Sequence, residues 1–110
     1  MLTQREALLA ALQDRGWRVA RTETSEEWWL YQVVVLESAW APVGSVAMLV
    51  FLVDPLGGAR GPASVWAVAA SRTLPDDRAS AEAGPMLTLG SGWRDRLDDF
   101  LRAIDTLRGS

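Results

Sequence analysis

Apolar residues recur along this chain with two periods, and the change from one to the other marks the elements. In TQREALLAALQDRG, Thr3 to Gly16, residues Leu8, Leu9, Ala11 and Leu12 fall on one helical stripe. Thr3 and Glu6 form a T-x-x-E capping box, which satisfies free amides at the helix start. Gly16 stands where a left-handed residue ends such a helix. Near the other end, Trp93, Leu97, Phe100, Leu101, Ile104 and Leu107 share one face of a second helix. Arg94, Asp95, Asp98, Asp99, Arg102 and Asp105 take the opposite face, and Asp98 with Arg102 has the favourable i,i+4 order. Ser91 is the expected N-cap, and Gly109 lies past the end.

Between the helices the period is two. Trp17 to Glu23 sets Trp17, Val19 and Arg21 against Arg18, Ala20 and Thr22, as in a half-buried strand near a sheet edge. Trp28 to Glu37 and Ser45 to Val53 are rich in valine, leucine and aromatics. They read as a central pair joined by a turn at Ala41 to Gly44. Ser64 to Arg72 gives a fourth strand and Met86 to Gly90 a short fifth. Asp54 to Pro62 predicts a loop, and so does Thr73 to Gly90, with one helical turn over Arg78 to Ala83. Short connections favour antiparallel pairing, because parallel crossovers need a dozen or more residues. The expected fold is a single α+β domain over residues 1–110. It is a two-layer sandwich in the order α-β-β-β-β-(β)-α, with an antiparallel sheet of four to five strands. Both terminal helices are expected on one face.

Sorting the central strands by face sharpens this picture. A turn with an even number of residues pairs Trp40 with Ser45 and Leu36 with Leu49. One face then carries Leu30, Val34, Leu36, Trp40, Leu49, Phe51 and Val53. The other carries Trp29, Tyr31, Val33, Val35, Val46, Met48, Val50 and Leu52. A sheet with one solvated face alternates apolar with polar, and this one does not. Two helices cover one face, and a bare second face would exceed the apolar patch that monomers tolerate. The expectation is self-association through Trp29, Tyr31, Val33, Val35, Met48 and Val50. The Thr73 to Gly90 loop is the alternative cover.

Composition narrows the chemistry. All eleven basic residues are arginine; lysine, histidine and cysteine are absent. That removes thiolate chemistry, zinc–thiolate sites, an imidazole base, Schiff bases and the P-loop lysine. A net charge of −3, with the signs interspersed, argues against a nucleic-acid partner. The longest apolar run, Val46 to Val53, is far below the ~20 residues that span a bilayer. The stretch MLTQREALLAAL lacks the apolar core of a signal peptide, so a cytoplasmic location without membrane contact is expected.

Candidate sites are few. Gly90, Ser91 and Gly92 precede a helix whose first amides would suit an anion, although a capped helix start explains the same residues. The acidic pairs Glu26–Glu27, Asp76–Asp77 and Asp98–Asp99 read as solvated. Glu37 and Arg72, at the ends of apolar strands, suit either a cross-sheet pair or the sheet margin. The tryptophans Trp17, Trp28, Trp29, Trp40, Trp66 and Trp93 read first as packing, and alternation sends Trp28 and Trp29 to opposite faces. The functional expectation is a small non-enzymatic protein-interaction domain, chaperone- or adaptor-like, forming a homodimer and using no cofactor or metal. The alternative is a small-ligand domain with an aromatic pocket between the sheet and the Thr73 to Gly90 loop.

Overall fold

A computed structural model describes residues 3–54 and 65–108. The elements are α1 (Gln4–Asp14), β1 (Trp17–Thr24), β2 (Leu30–Ser38), β3 (Val46–Val53), β4 (Val65–Ser71), α2 (Arg78–Glu82), β5 (Met86–Thr88) and α3 (Trp93–Asp105). The strands form one antiparallel meander in chain order, β1-β2-β3-β4-β5. This is the expected α+β architecture. Most of the loop expected over Asp54 to Pro62 lies outside the described residues. Among the described residues no helix is long and apolar enough to cross a membrane.

Both terminal helices pack on one face. Ala7, Leu8 and Leu12 of α1 and Trp93, Leu97, Phe100, Leu101 and Ile104 of α3 are buried there. They meet Val34, Leu36, Leu49, Phe51, Val68 and Leu87 from the sheet, and Trp17 closes one end of this core. The Thr3 hydroxyl accepts from the Glu6 amide at 3.1 Å, as the capping box requires. Gly16 has φ +82°, the left-handed stop expected after α1.

The β2–β3 register is offset by two residues from the expected one. Leu36 faces Ala47 and Val34 faces Leu49, and the Ser38 amide donates to the Ser45 carbonyl at 2.8 Å. The hairpin loop is therefore 39–44, and Trp40 sits in it rather than in the strand. A two-residue offset preserves the faces, since side chains alternate with period two. A bulge does not. The irregularity between Leu30 and Gln32 exchanges two residues. Leu30 joins the second face, whereas Tyr31, expected on that face, packs against the helix-side core. A second bulge, between Val19 and Arg21, turns Arg21 to the face of Val35. Beyond Trp17, β1 is exposed along its length, as befits an edge strand.

The second face has its own apolar cluster. Trp29, Leu30, Val33, Val35, Val50, Leu52, Ala67 and Ala69 are buried within the single chain, with Ala81 of α2 upon them. The segment between β4 and β5 thus covers part of this face, together with the turn that leads into β2. The sequence weighed self-association first and that segment second. In the structure Val33 is only 5% exposed before any partner is added.

Candidate functional site

Three places gather functional side chains: the cover of the second face, a cleft beside α1, and the corner where α1, β1 and α3 meet.

The cover is built from two turns. Around Ser25 the hydroxyl accepts from the Glu27 amide at 3.1 Å, and Leu30 N donates to Glu27 O at 3.3 Å. This turn sends Trp29 into the cluster and leaves Trp28 67% exposed. Opposite it, Asp77 caps α2 by accepting from the Ser80 amide at 2.7 Å. That backbone hydrogen bond, followed by one from the Ser80 side chain, holds the Asp77 carboxyl below its ordinary value. α2 then places Ala81 on the sheet and aims Arg78 outward between two indoles. The Arg78 guanidinium carbon lies 5.9 Å from the Trp28 ring centre and 5.7 Å from that of Trp66. Glu82 fixes it from the side, Nε to Oε1 at 2.6 Å. Beneath the Thr73 to Gly90 segment, Trp29 and Ala81 belong to one buried cluster.

One group in the cover is unsatisfied. Trp66 Nε1 is buried and has no acceptor among the described residues. Leaving such a donor dry costs about 1–3 kcal/mol, similar to the apolar area lost on shrinking the ring. Trp66→Phe should therefore leave stability within about 1 kcal/mol of the parent in urea unfolding. A loss well above about 2 kcal/mol would show that the N–H has an acceptor after all.

The cleft has a volume of about 460 Å³ and opens between the first turn of α1 and the ends of β2, β3 and β4. Tyr31, Phe51, Val65 and Leu89 give it an apolar wall, and Arg5, Glu6 and Gln32 are among its polar groups. Arg5 Nε donates to Gln32 Oε1 at 3.1 Å, and the guanidinium lies 5.8 Å from the Phe51 ring centre. The bulge that turns Tyr31 to this side also builds this wall. Nothing in the alternation of the sequence announced it.

At the corner, Asp105 is the hub. Its Oδ2 accepts from Arg15 Nε at 2.9 Å and Nη2 at 2.5 Å. Its Oδ1 accepts from Trp17 Nε1 at 3.1 Å and Arg108 Nη1 at 3.0 Å. Arg108 also donates to Ser38 Oγ at 2.9 Å and to the Arg15 carbonyl. Its guanidinium lies 4.4 Å from the Trp17 ring centre and 5.2 Å from that of Trp40. Arg15, Trp17 and Arg108 all donate to Asp105, so the corner joins α1, β1 and α3.

Of the six second-face residues, Trp29, Val33, Val35 and Val50 are buried, Met48 is half-buried, and Tyr31 lies on the helix side. At Gly90, Ser91 and Gly92 some of the amides that an anion would need are already engaged. Gly92, not Ser91, is the N-cap residue, with φ +76° and no side-chain cap. The glycine turn uses the amides itself: Trp93 N donates to Gly90 O at 3.2 Å and Asp95 N to Gly92 O at 3.1 Å. With its amide oxygen turned toward α3, Gln4 accepts from Gly90 N at 3.1 Å and Trp93 Nε1 at 3.3 Å. Arg102 pairs with Asp99 at 2.8 Å, and toward Asp98 its Nε reaches the backbone carbonyl. Glu37 pairs with Arg18 at 3.2 Å, and Arg72 donates to the carbonyls of Thr106 and Leu107. Among the described residues no group of three or more acidic side chains could hold a metal ion.

No family model matches the chain, and neither the curated proteins nor the solved structures contain a match to it.

Proposed function

We propose that the protein is a small protein-interaction domain whose partner docks on the Trp28 side of the second sheet face. One observation carries this reading: an indole that is 67% exposed is nonetheless held in place by a buttressed arginine. Tryptophan and arginine are enriched among residues that dominate binding energy. A ring already fixed on Arg78, itself held by Glu82 and Trp66, loses little freedom when a partner covers it.

The charge around the ring indicates the partner's character. Glu26, Asp76, Asp77 and Glu82 belong to the two segments that frame it. A partner with a basic, partly apolar surface would gain from that field, both in approach and in register. A second copy would present the same acids in a two-fold contact, which disfavours self-association through this patch. Val33, Val35 and Val50 would have to be uncovered before they could serve a dimer.

A photo-crosslinking residue at Glu26, exposed and two residues from the ring, tests the proposal, with one at Asp14, exposed at the far end of α1, as control. Specific adducts are expected from position 26 only, and Trp28→Ala and Arg78→Gln should each weaken them at unchanged protein concentration. Trp28→Ala should stay within about 1 kcal/mol of the parent in stability, because the ring is mostly outside the core. Identical adducts from positions 26 and 14, or adducts that survive Trp28→Ala, would remove the reading.

A further inference from the structure

We propose that the cleft beside α1 is a binding site for a small amphipathic carboxylate, a single carboxylate group on an apolar body. This site is separate from the Trp28 surface and does not depend on it.

The cleft is of the right kind. Its volume of about 460 Å³ lies at the lower end of the range for small-molecule sites, and its wall is mostly apolar. Tyr31, Val65 and Leu89 remain partly accessible there, so apolar surface is available for burial. An apolar ligand body would take that surface out of water.

The charge is also specific. Among the described residues Arg5 is the one cationic side chain in the lining. Gln32 binds its Nε and the guanidinium carbon lies over the Phe51 ring, so the guanidinium is held before any ligand arrives. Among the described residues no carboxylate lies within ion-pair distance of Arg5. Its two terminal nitrogens present the fork that a carboxylate accepts in bidentate fashion. Arg5 also stands in the first turn of α1, where the helix dipole disfavours a cation, and an incoming anion relieves that conflict. Glu6 is exposed and in the same lining, and it works the other way. With no second cation among the described lining residues, a second carboxylate on the ligand would be left unpaired against the apolar wall.

The probes are decanoate, decanol, decylamine and the dicarboxylate sebacate, each below its micelle concentration. They are titrated against the full chain while the ring signals of Tyr31, the only tyrosine, are followed by NMR. Decanoate should bind and shift Tyr31. Decanol and sebacate should bind at least about tenfold more weakly, and decylamine should not bind. Arg5→Gln keeps a donor for Gln32 and should bring decanoate down to the level of decanol, leaving decanol unchanged. Leu89→Trp, at a half-buried wall position, should block both. Equal binding of decanoate and decanol, decanoate binding that survives Arg5→Gln, or no Tyr31 shift with decanoate up to millimolar concentration would each overturn the proposal.

Discussion

Asp105→Ala should destabilise the protein by about 2–4 kcal/mol, more than removal of any other acid among the described residues. The reason is the number of donors that lose their acceptor together. Trp17 is 1% exposed, and its Nε1–H would be left dry in the core, a loss of about 1–3 kcal/mol by itself. Arg15 and Arg108 would face each other without a counter-charge, and the Arg108 side chain is only 11% exposed. Asp105 retains 26% side-chain exposure, which keeps the estimate below the value for a fully buried pair. Two comparisons sharpen the test. Asp105→Asn keeps an oxygen for Trp17 but not the charge, so it should fall between the parent and the alanine variant. Asp99→Ala breaks an ion pair of similar length, but one in which both side chains are mostly in water, and should cost no more than about 1 kcal/mol. Urea unfolding of the four proteins ranks them directly. An Asp105→Ala loss no larger than that of Asp99→Ala would mean that the corner is not a joint.

Asp105 also shows where the sequence stops being readable. The helical period places it on the polar face of α3, among acids and arginines that are indeed solvated. Only the tertiary fold brings the last turn of α3 beside the corner between α1 and β1, and no local pattern encodes that meeting. The hydrophobic stripe of α3 and the capping residues of α1 are local signals, and both terminal helices formed where those signals placed them. Sheet faces were legible for a related reason. Alternation with period two tolerates the two-residue offset between β2 and β3, so Val33, Val35 and Val50 kept their face although their partners changed.

Bulges are the natural limit of that reasoning. The extra residue near Tyr31 is marked by no glycine, and it moves a ring from one side of the sheet to the other. The cleft wall was hidden for that reason. The cover of the second face was hidden by weak signals of another kind. α2 is five residues long and contributes one buried alanine, too little apolar character to stand out from a polar loop. Alternation does not account for the unequal roles of Trp28 and Trp29. Both precede β2 and sit in the turn that leads into it, so strand alternation does not govern them, and Trp28 lies over Arg78 beside the second face instead of facing the helices.

Gly16→Ala should lower stability by about 2–4 kcal/mol, with two separable causes. The first is backbone: at φ +82° an L side chain costs about 1–2 kcal/mol. The second is steric, because a Cβ built at Gly16 overlaps the Trp40 indole. That ring is 54% exposed, so it can swing away rather than unfold the chain. Doing so forfeits its contact with Arg108 and loosens a hairpin tip held to Ser38 by two hydrogen bonds. The Ala39 amide, 2.6 Å from the Gly16 carbonyl, binds the same tip to the glycine itself. A double-mutant cycle separates the causes. In a Trp40→Ala background the clash is gone, and Gly16→Ala should cost only the backbone share, about 1–2 kcal/mol. The two substitutions together should therefore be less damaging than the sum of each alone, by at least about 1 kcal/mol. Additivity within about 0.5 kcal/mol would mean that the indole does not rest on the glycine.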